Sequence, residues 1–280
     1  AFHATSRDAV LRVIPAPPNP ARHTWLFDFG GAATTGYGPA PDDPLNFWNN
    51  VTAAVGASNT GRLTNLITTV NAPSTLRLVM IRRFNGVNEN GTTASPFLPV
   101  NATRDSFYGN TETFSGLANV FPGFKLVGLN AQAEYALTFY ASRLGANDNR
   151  ETGYTVVGAN TGFAALNVAN NVTNTARVTG IRPSGAGEIA INIAPTANNN
   201  NANHFTYLGV LRVDEFPLPP QFQSPRLEGG QIKLNWTGDA QLEWASALSG
   251  PWHPITPRPS PPYVESAANQ SRFFRLVAVP

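Results

Sequence analysis

Ile189, Ile191 and Ile193 alternate with Ala190 and Asn192, and a two-residue period of this kind recurs along most of the chain. Successive residues of a strand point to opposite faces of a sheet, so this period buries one face and leaves the other partly wet. No long window carries apolar residues at helical spacing. The sequence therefore predicts strands as the default, with few and short helices. The clearest predicted strands cover residues 25–29, 75–84, 134–142, 153–158, 177–181, 188–193 and 205–213. Turn residues separate them at 88–91, 145–149, 184–187 and in the polar tract 198–203. Many short strands joined by Gly and Asn turns indicate an antiparallel β-sandwich or jelly roll, whereas a parallel sheet would need helices between its strands.

The text of the chain changes at Glu215-Phe216-Pro217-Leu218-Pro219-Pro220, a proline-rich extended stretch of the kind that joins domains. A jelly-roll body is expected over 21–216 and a small immunoglobulin- or fibronectin-III-like sandwich over 217–280. The latter offers predicted strands at 231–236, 241–245 and 272–279, with Trp236, Trp244 and Trp252 as its expected core. An immunoglobulin-type sandwich takes about seven strands and about 100 residues, so this module reads as small and one strand short. Residues 1–20 read as an arm: a β-like run 9–14 that would set Ala9, Leu11 and Val13 on one face, followed by a proline-rich linker. Such an arm has no core of its own and needs another sheet to bury that face.

Charged residues make up 13% of the chain, and only two of them are lysines, Lys125 and Lys233. Intracellular domains carry about 25% charge. A surface built from Asn, Thr, Ser, Gly and Pro therefore points to secretion, and a start at Ala1 reads as a mature product. No apolar run approaches the roughly 20 residues of a membrane-spanning helix, so direct membrane insertion is not expected. The chain has no cysteine, which excludes disulfides, thiolate metal sites and cysteine nucleophiles. Its net charge of +2 comes from scattered arginines, with Arg82-Arg83 the densest pair. A nucleic-acid partner is not expected without a clustered basic face.

Residues 25–215 resemble the galactose-binding-like jelly-roll modules of secreted proteins from Verrucomicrobia and Planctomycetes. The resemblance rests on Phe27-Asp28-Phe29-Gly30, on Phe47-Trp48-Asn49-Asn50, on Phe139-Tyr140-Ala141-Ser142-Arg143 with the run from Asn147 to Tyr154, and on Asn170-Asn171. The tail is similar to a small fibronectin-III-like module through Leu234-Asn235-Trp236-Thr237-Gly238, Leu242-Glu243-Trp244-Ala245 and Arg272-Phe273-Phe274-Arg275-Leu276. The segment 4–13 is similar to the last strand of a bacterial immunoglobulin-like repeat. These resemblances imply attachment, carbohydrate binding or surface architecture.

Motifs for chemistry are sparse. The four histidines are His3, His23, His204 and His253, and no serine-hydrolase elbow, zinc-protease motif, P-loop or dinucleotide fingerprint occurs. Asp28, Asp105, Glu134, Asp148 and Glu151 are available as paired acids for glycoside hydrolysis and are more simply read as structural or surface acids. No cofactor is expected. Asp148 and Glu151 in Asn147-Asp148-Asn149-Arg150-Glu151 offer oxygens suited to calcium, but Arg150 sits between them and would rather pair with one. Tyr37, Trp48, Asn49 and Asn50 combine rings with amides as sugar sites do; Trp48 is equally a core residue.

The expected function is therefore non-enzymatic and extracellular. In one reading, the chain is a structural or adhesive protein that polymerises head to tail, the arm adding as a strand to a neighbour's C-terminal module. In the alternative, it is a carbohydrate-binding module with a polysaccharide partner.

Overall fold

The computed structural model describes residues 21–34, 43–266 and 272–279. The arm candidates Ala9, Leu11 and Val13, and the loop residue Tyr37, lie outside the described residues. The fold is all-β. The chain divides into two compact units, one spanning Ala21–Phe216 and the other including Pro217–Pro280.

In the first unit, β1 (His23–Phe29), β2 (Asn49–Val51), β3 (Arg62–Leu63), β4 (Arg77–Arg82), β5 (Gly86–Asn88) and β6 (Ser106–Gly109) are interrupted by two single-turn helices, α1 (Ala53–Gly56) and α2 (Val100–Thr103). There follow β7 (Gly123–Val127), β8 (Ala133–Tyr140), β9 (Glu151–Val157), β10 (Thr161–Asn167), β11 (Ala176–Ile181), β12 (Glu188–Pro195), β13 (Thr206–Leu208) and β14 (Val210–Pro217). One sheet runs β11-β8-β14-β1-β2 and the other β10-β9-β12-β7-β4-β3. Taking β1, β7, β8, β9, β10, β11, β12 and β14 as first to eighth, the sheets read sixth-third-eighth-first and fifth-fourth-seventh-second. That order, in which the first strand pairs antiparallel with the last, is the jelly roll.

The core lies between the two sheets and follows the alternation. Ile189, Ile191 and Ile193 of β12 are almost fully buried, as are Phe27 and Phe29 of β1, Leu137 and Phe139 of β8 and Leu211 and Val213 of β14. Across the gap Phe139 and Tyr154 stack with ring centroids 4.3 Å apart and planes 5° from parallel. The outer face of the β1 sheet is covered as well. Leu26, Tyr140 and Val210 pack there against Trp48 and against Ala102 of α2.

The structure adds the short strands β2, β3, β5 and β6 to those predicted and departs from the prediction in three further places. The run 205–213 is two strands, β13 and β14, which belong to different sheets. Gly209 separates them: its amide donates to the Tyr140 carbonyl at 2.9 Å, and its own carbonyl accepts from the Phe29 amide at 2.7 Å. β7 and β10 have no counterpart among the predicted strands. In β7 Phe124 and Leu126 alternate over only three residues, and in β10 Phe163 and Leu166 lie three apart, out of phase with a two-residue period.

The second unit contains β15 (Gln221–Phe222), β16 (Arg226–Glu228), β17 (Gln231–Leu234), β18 (Trp236–Thr237), β19 (Ala240–Ala245), β20 (His253–Pro254), β21 (Tyr263–Ser266) and β22 (Phe273–Ala278). Two three-stranded sheets, β16-β17-β21 and β20-β19-β22, form a small sandwich, and β15 pairs with β18.

Candidate functional site

Lettered in chain order, β16, β17, β19, β20, β21 and β22 are A, B, C, C′, E and F. The sheets then read A-B-E and C′-C-F, the fibronectin-III arrangement up to the position of its last strand. Among the described residues β22 pairs only with β19, through the antiparallel register Ala240↔Ala278 to Ala245↔Phe273. Burial declines toward that edge. Leu242 on β19 is 0% exposed, whereas Leu276, directly opposite on β22, and Phe274 beside it are half-buried.

The core cluster of this unit is Leu234, Trp236, Ala240 and Leu242. Of the three tryptophans expected there, only Trp236 belongs to it. Trp244 and Trp252 are half-buried and covered by cations instead, Arg272 lying 4.4 Å from the Trp244 ring and Arg275 4.6 Å from the Trp252 ring. Arg272 also pairs with Glu265, and Arg275 with Glu243. The core of this unit takes one of the three indoles, and planar guanidinium groups cover the other two.

The described sugar-site candidates, Trp48, Asn49 and Asn50, are engaged within the fold. Trp48 is 6% exposed, its ring packed among Leu26, Ala102, Tyr140 and Val210 and its indole N–H donated to Asp43 at 3.0 Å. The Asn49 amide donates to the Leu26 and Ile67 carbonyls and accepts the Ile67 N–H. Asn50 holds Thr34 by both backbone groups, accepting its N–H and donating to its carbonyl, each at 2.9 Å. An aromatic platform needs an open face, and Trp48 has none.

The weak metal candidates Asp148 and Glu151 are likewise engaged by protein donors. Asp148 receives Arg150 Nε at 2.7 Å and Asn201 Nδ2 at 2.6 Å, and the Arg150 hydrogen bond holds its carboxyl below the usual carboxylate range. Arg150 also donates to the Tyr207 hydroxyl and lies 5.5 Å from the Phe205 ring. Glu151 Oε1 accepts from the Thr196 hydroxyl and from Asn198. Instead of leaving oxygens free for calcium, the segment ties its own loop to the loop at 196–201 and to β13. Among the described residues no three acidic or imidazole side chains converge to hold a metal.

Two other acids, Asp28 and Asp105, come together in a way their separation in sequence does not suggest. Asp28 is 1% exposed and Asp105 3%. Each carboxylate uses one oxygen to hold the turn after β1. Asp28 Oδ2 accepts the Thr34 N–H at 2.8 Å, and Asp105 Oδ2 accepts the N–H groups of Gly31 and Ala32 at 2.9 and 2.7 Å. The other oxygen of each, Oδ1, is buried without a hydrogen-bond partner, and the buried Thr34 hydroxyl beside Asp28 favours its charged form. Burial, opposed by the Thr34 groups and reinforced by the charge of Asp105, pushes the Asp28 carboxyl up to about 7. Burial raises Asp105 too, against the pull of the Ala32 and Gly31 amides. The sequence signal for this acid pair is Asp28 followed two residues later by Gly30-Gly31, since a Cβ on Gly30 would meet Asp105 Oδ1 at 2.0 Å.

The three described histidines are each engaged within the fold. His204 Nδ1 meets the Thr111 hydroxyl at 3.1 Å, His253 packs at a tilt against Trp244, and His23 faces Glu215 at 3.6 Å.

Fold and sites together define an all-β protein in which a jelly-roll sandwich precedes a fibronectin-III-like sandwich. Comparison with protein-family models, curated proteins and solved structures gave no match.

Proposed function

We propose that this chain is a non-enzymatic, extracellular structural or adhesive protein that assembles head to tail, the N-terminal segment of one copy adding as a strand to β22 of the next. The observation that carries this reading is that, among the described residues, β22 is paired on one side only, by β19, with Phe274 and Leu276 half-buried at that edge while Leu242 is fully buried. An unpaired strand edge beside partly covered apolar groups is a template for another strand. Strand addition supplies main-chain hydrogen bonds for affinity and side-chain pockets for register. The alternation of Ala9, Leu11 and Val13 in the sequence has the period such a donor requires. A contact between two different surfaces that does not close generates a filament. The sparse charge of the chain suits a secreted surface. Of the two aromatic candidates for the carbohydrate-binding alternative, Trp48 is buried, which favours the assembly reading.

Light scattering after size exclusion, together with negative-stain microscopy, tests the proposal on the full chain and on a variant lacking residues 1–18. The full chain is expected to form concentration-dependent oligomers or filaments, and the variant to remain monomeric. Monomers in both samples would overturn the assembly.

A further inference from the structure

Two buried acids meet at the turn after β1. Asp28 Oδ1 and Asp105 Oδ1 are sealed from solvent without hydrogen-bond partners, and the Thr34 hydroxyl is buried beside the Asp28 carboxyl. Asp28 and Thr34 belong to that turn, and Asp105 reaches it from beyond α2. Thr34 N–H is held by Asp28, Asp105 holds the two amides between them, and Asp105 Oδ1 stands 2.0 Å from where a Cβ on Gly30 would be. A buried carboxylate oxygen with nothing bound to it is costly, and more so when a second carboxylate lies beside it. The other charges acting on the pocket are Glu89, which adds negative potential at Asp105, and Arg104, whose exposed side chain supplies only a screened positive one. The two carboxylates are therefore not neutralised by a buried basic group of the protein.

We infer that Asp28, Asp105 and Thr34 bind a hard, oxygen-seeking cation, calcium, whose role is to lock the turn after β1 onto the jelly roll. Each carboxylate offers one oxygen to the ion because its other oxygen is occupied by backbone N–H groups, so the pair is held in place before the ion arrives. Two acids and a hydroxyl give fewer charged ligands than sensor sites use. Calcium tolerates such mixed and irregular oxygen shells, completing them with carbonyls and water, whereas magnesium demands near-ideal octahedra. Asn50 is a positioning residue. It clamps Thr34 through both backbone groups and does not present a free oxygen of its own. The site is independent of the assembly at β22.

Calorimetric titration of the chelator-treated full chain with calcium chloride, alongside thermal unfolding, tests the site. One ion per chain is expected, and at a hundredfold excess over the dissociation constant the jelly-roll transition should rise by about 5–10 °C. D28N and D105N should each weaken binding at least tenfold, while D148N should bind as the parent does. If a variant does not fold, sensitised terbium luminescence of the parent chain, with calcium as competitor, gives the same answer without mutation. Absence of binding at millimolar calcium overturns the inference. So does a D28N chain that melts at or above the parent in both calcium and chelator, because the carboxyl would then be holding a proton.

Discussion

Asp105 Oδ1 occupies the place where a side chain on Gly30 would begin, the two positions being 2.0 Å apart. The carboxylate is fixed there by the Gly31 and Ala32 amides and cannot swing away without releasing both. Gly30→Ala is therefore expected to destabilise the jelly roll by more than about 2 kcal/mol. Gly185→Ala, where a Cβ meets nothing within 4 Å, is expected to stay within about 0.5 kcal/mol. Urea unfolding of both variants checks the contrast.

Tyr154 stacks on Phe139 between the sheets and donates its buried hydroxyl to the Tyr207 carbonyl at 2.8 Å. Tyr154→Phe keeps the stack and leaves that carbonyl without its donor, a loss of about 1–3 kcal/mol. Phe139→Ala removes a core ring and should cost about 3–5 kcal/mol. Denaturant midpoints separate the two effects.

Trp48→Ala is expected to act on folding. Removing an indole that fills the layer between β1 and α2 should cost about 3–5 kcal/mol, visible as a lowered melting temperature of the first unit. A variant that keeps its parent's stability would return Trp48 to the surface.

At the second unit, Leu242→Ala should cost about 2–5 kcal/mol, and Leu276→Ala less than about 2 kcal/mol when residues 1–18 are absent, because Leu276 begins half-exposed. In the assembled full-length protein the cost at Leu276 is expected to approach that at Leu242, since an added strand would cover it. Unfolding of both variants, with and without residues 1–18, measures this difference.

The Arg150 hydrogen bond lowers the Asp148 carboxyl in the folded chain below its unfolded value of about 4. The sign follows from linkage: the stabilisation is present above the unfolded value and is lost as pH falls through the folded one. Melting curves in acid should show the parent losing stability below about pH 4, with a shallower loss in Asp148→Asn, which has no charge to titrate.

Alternation alone made most of the jelly roll legible. Ile189, Ile191 and Ile193 announce a strand with one buried face, and the proline-rich stretch at 215–220 falls where the two units divide. β7 and β10 escaped because their large apolar residues do not sustain a two-residue period, Phe124 and Leu126 alternating over three residues only and Phe163 and Leu166 lying out of phase. The split at Gly209 escaped because a single glycine inside an apolar run marks a bulge as readily as a change of sheet.

The sequence by itself determined the class of fold, because the two-residue period and the turn residues act locally on every strand. It also specified the residue types in the candidate sites. Only the tertiary structure decided their roles. Trp48 is core because α2 folds over the outside of the β1 sheet, Asp148 is spent on Arg150 and Asn201, and Asp28 meets Asp105 from 77 residues away in the chain. Burial and hydrogen-bond satisfaction depend on which strands become neighbours, and that is set by long-range packing that no local pattern encodes.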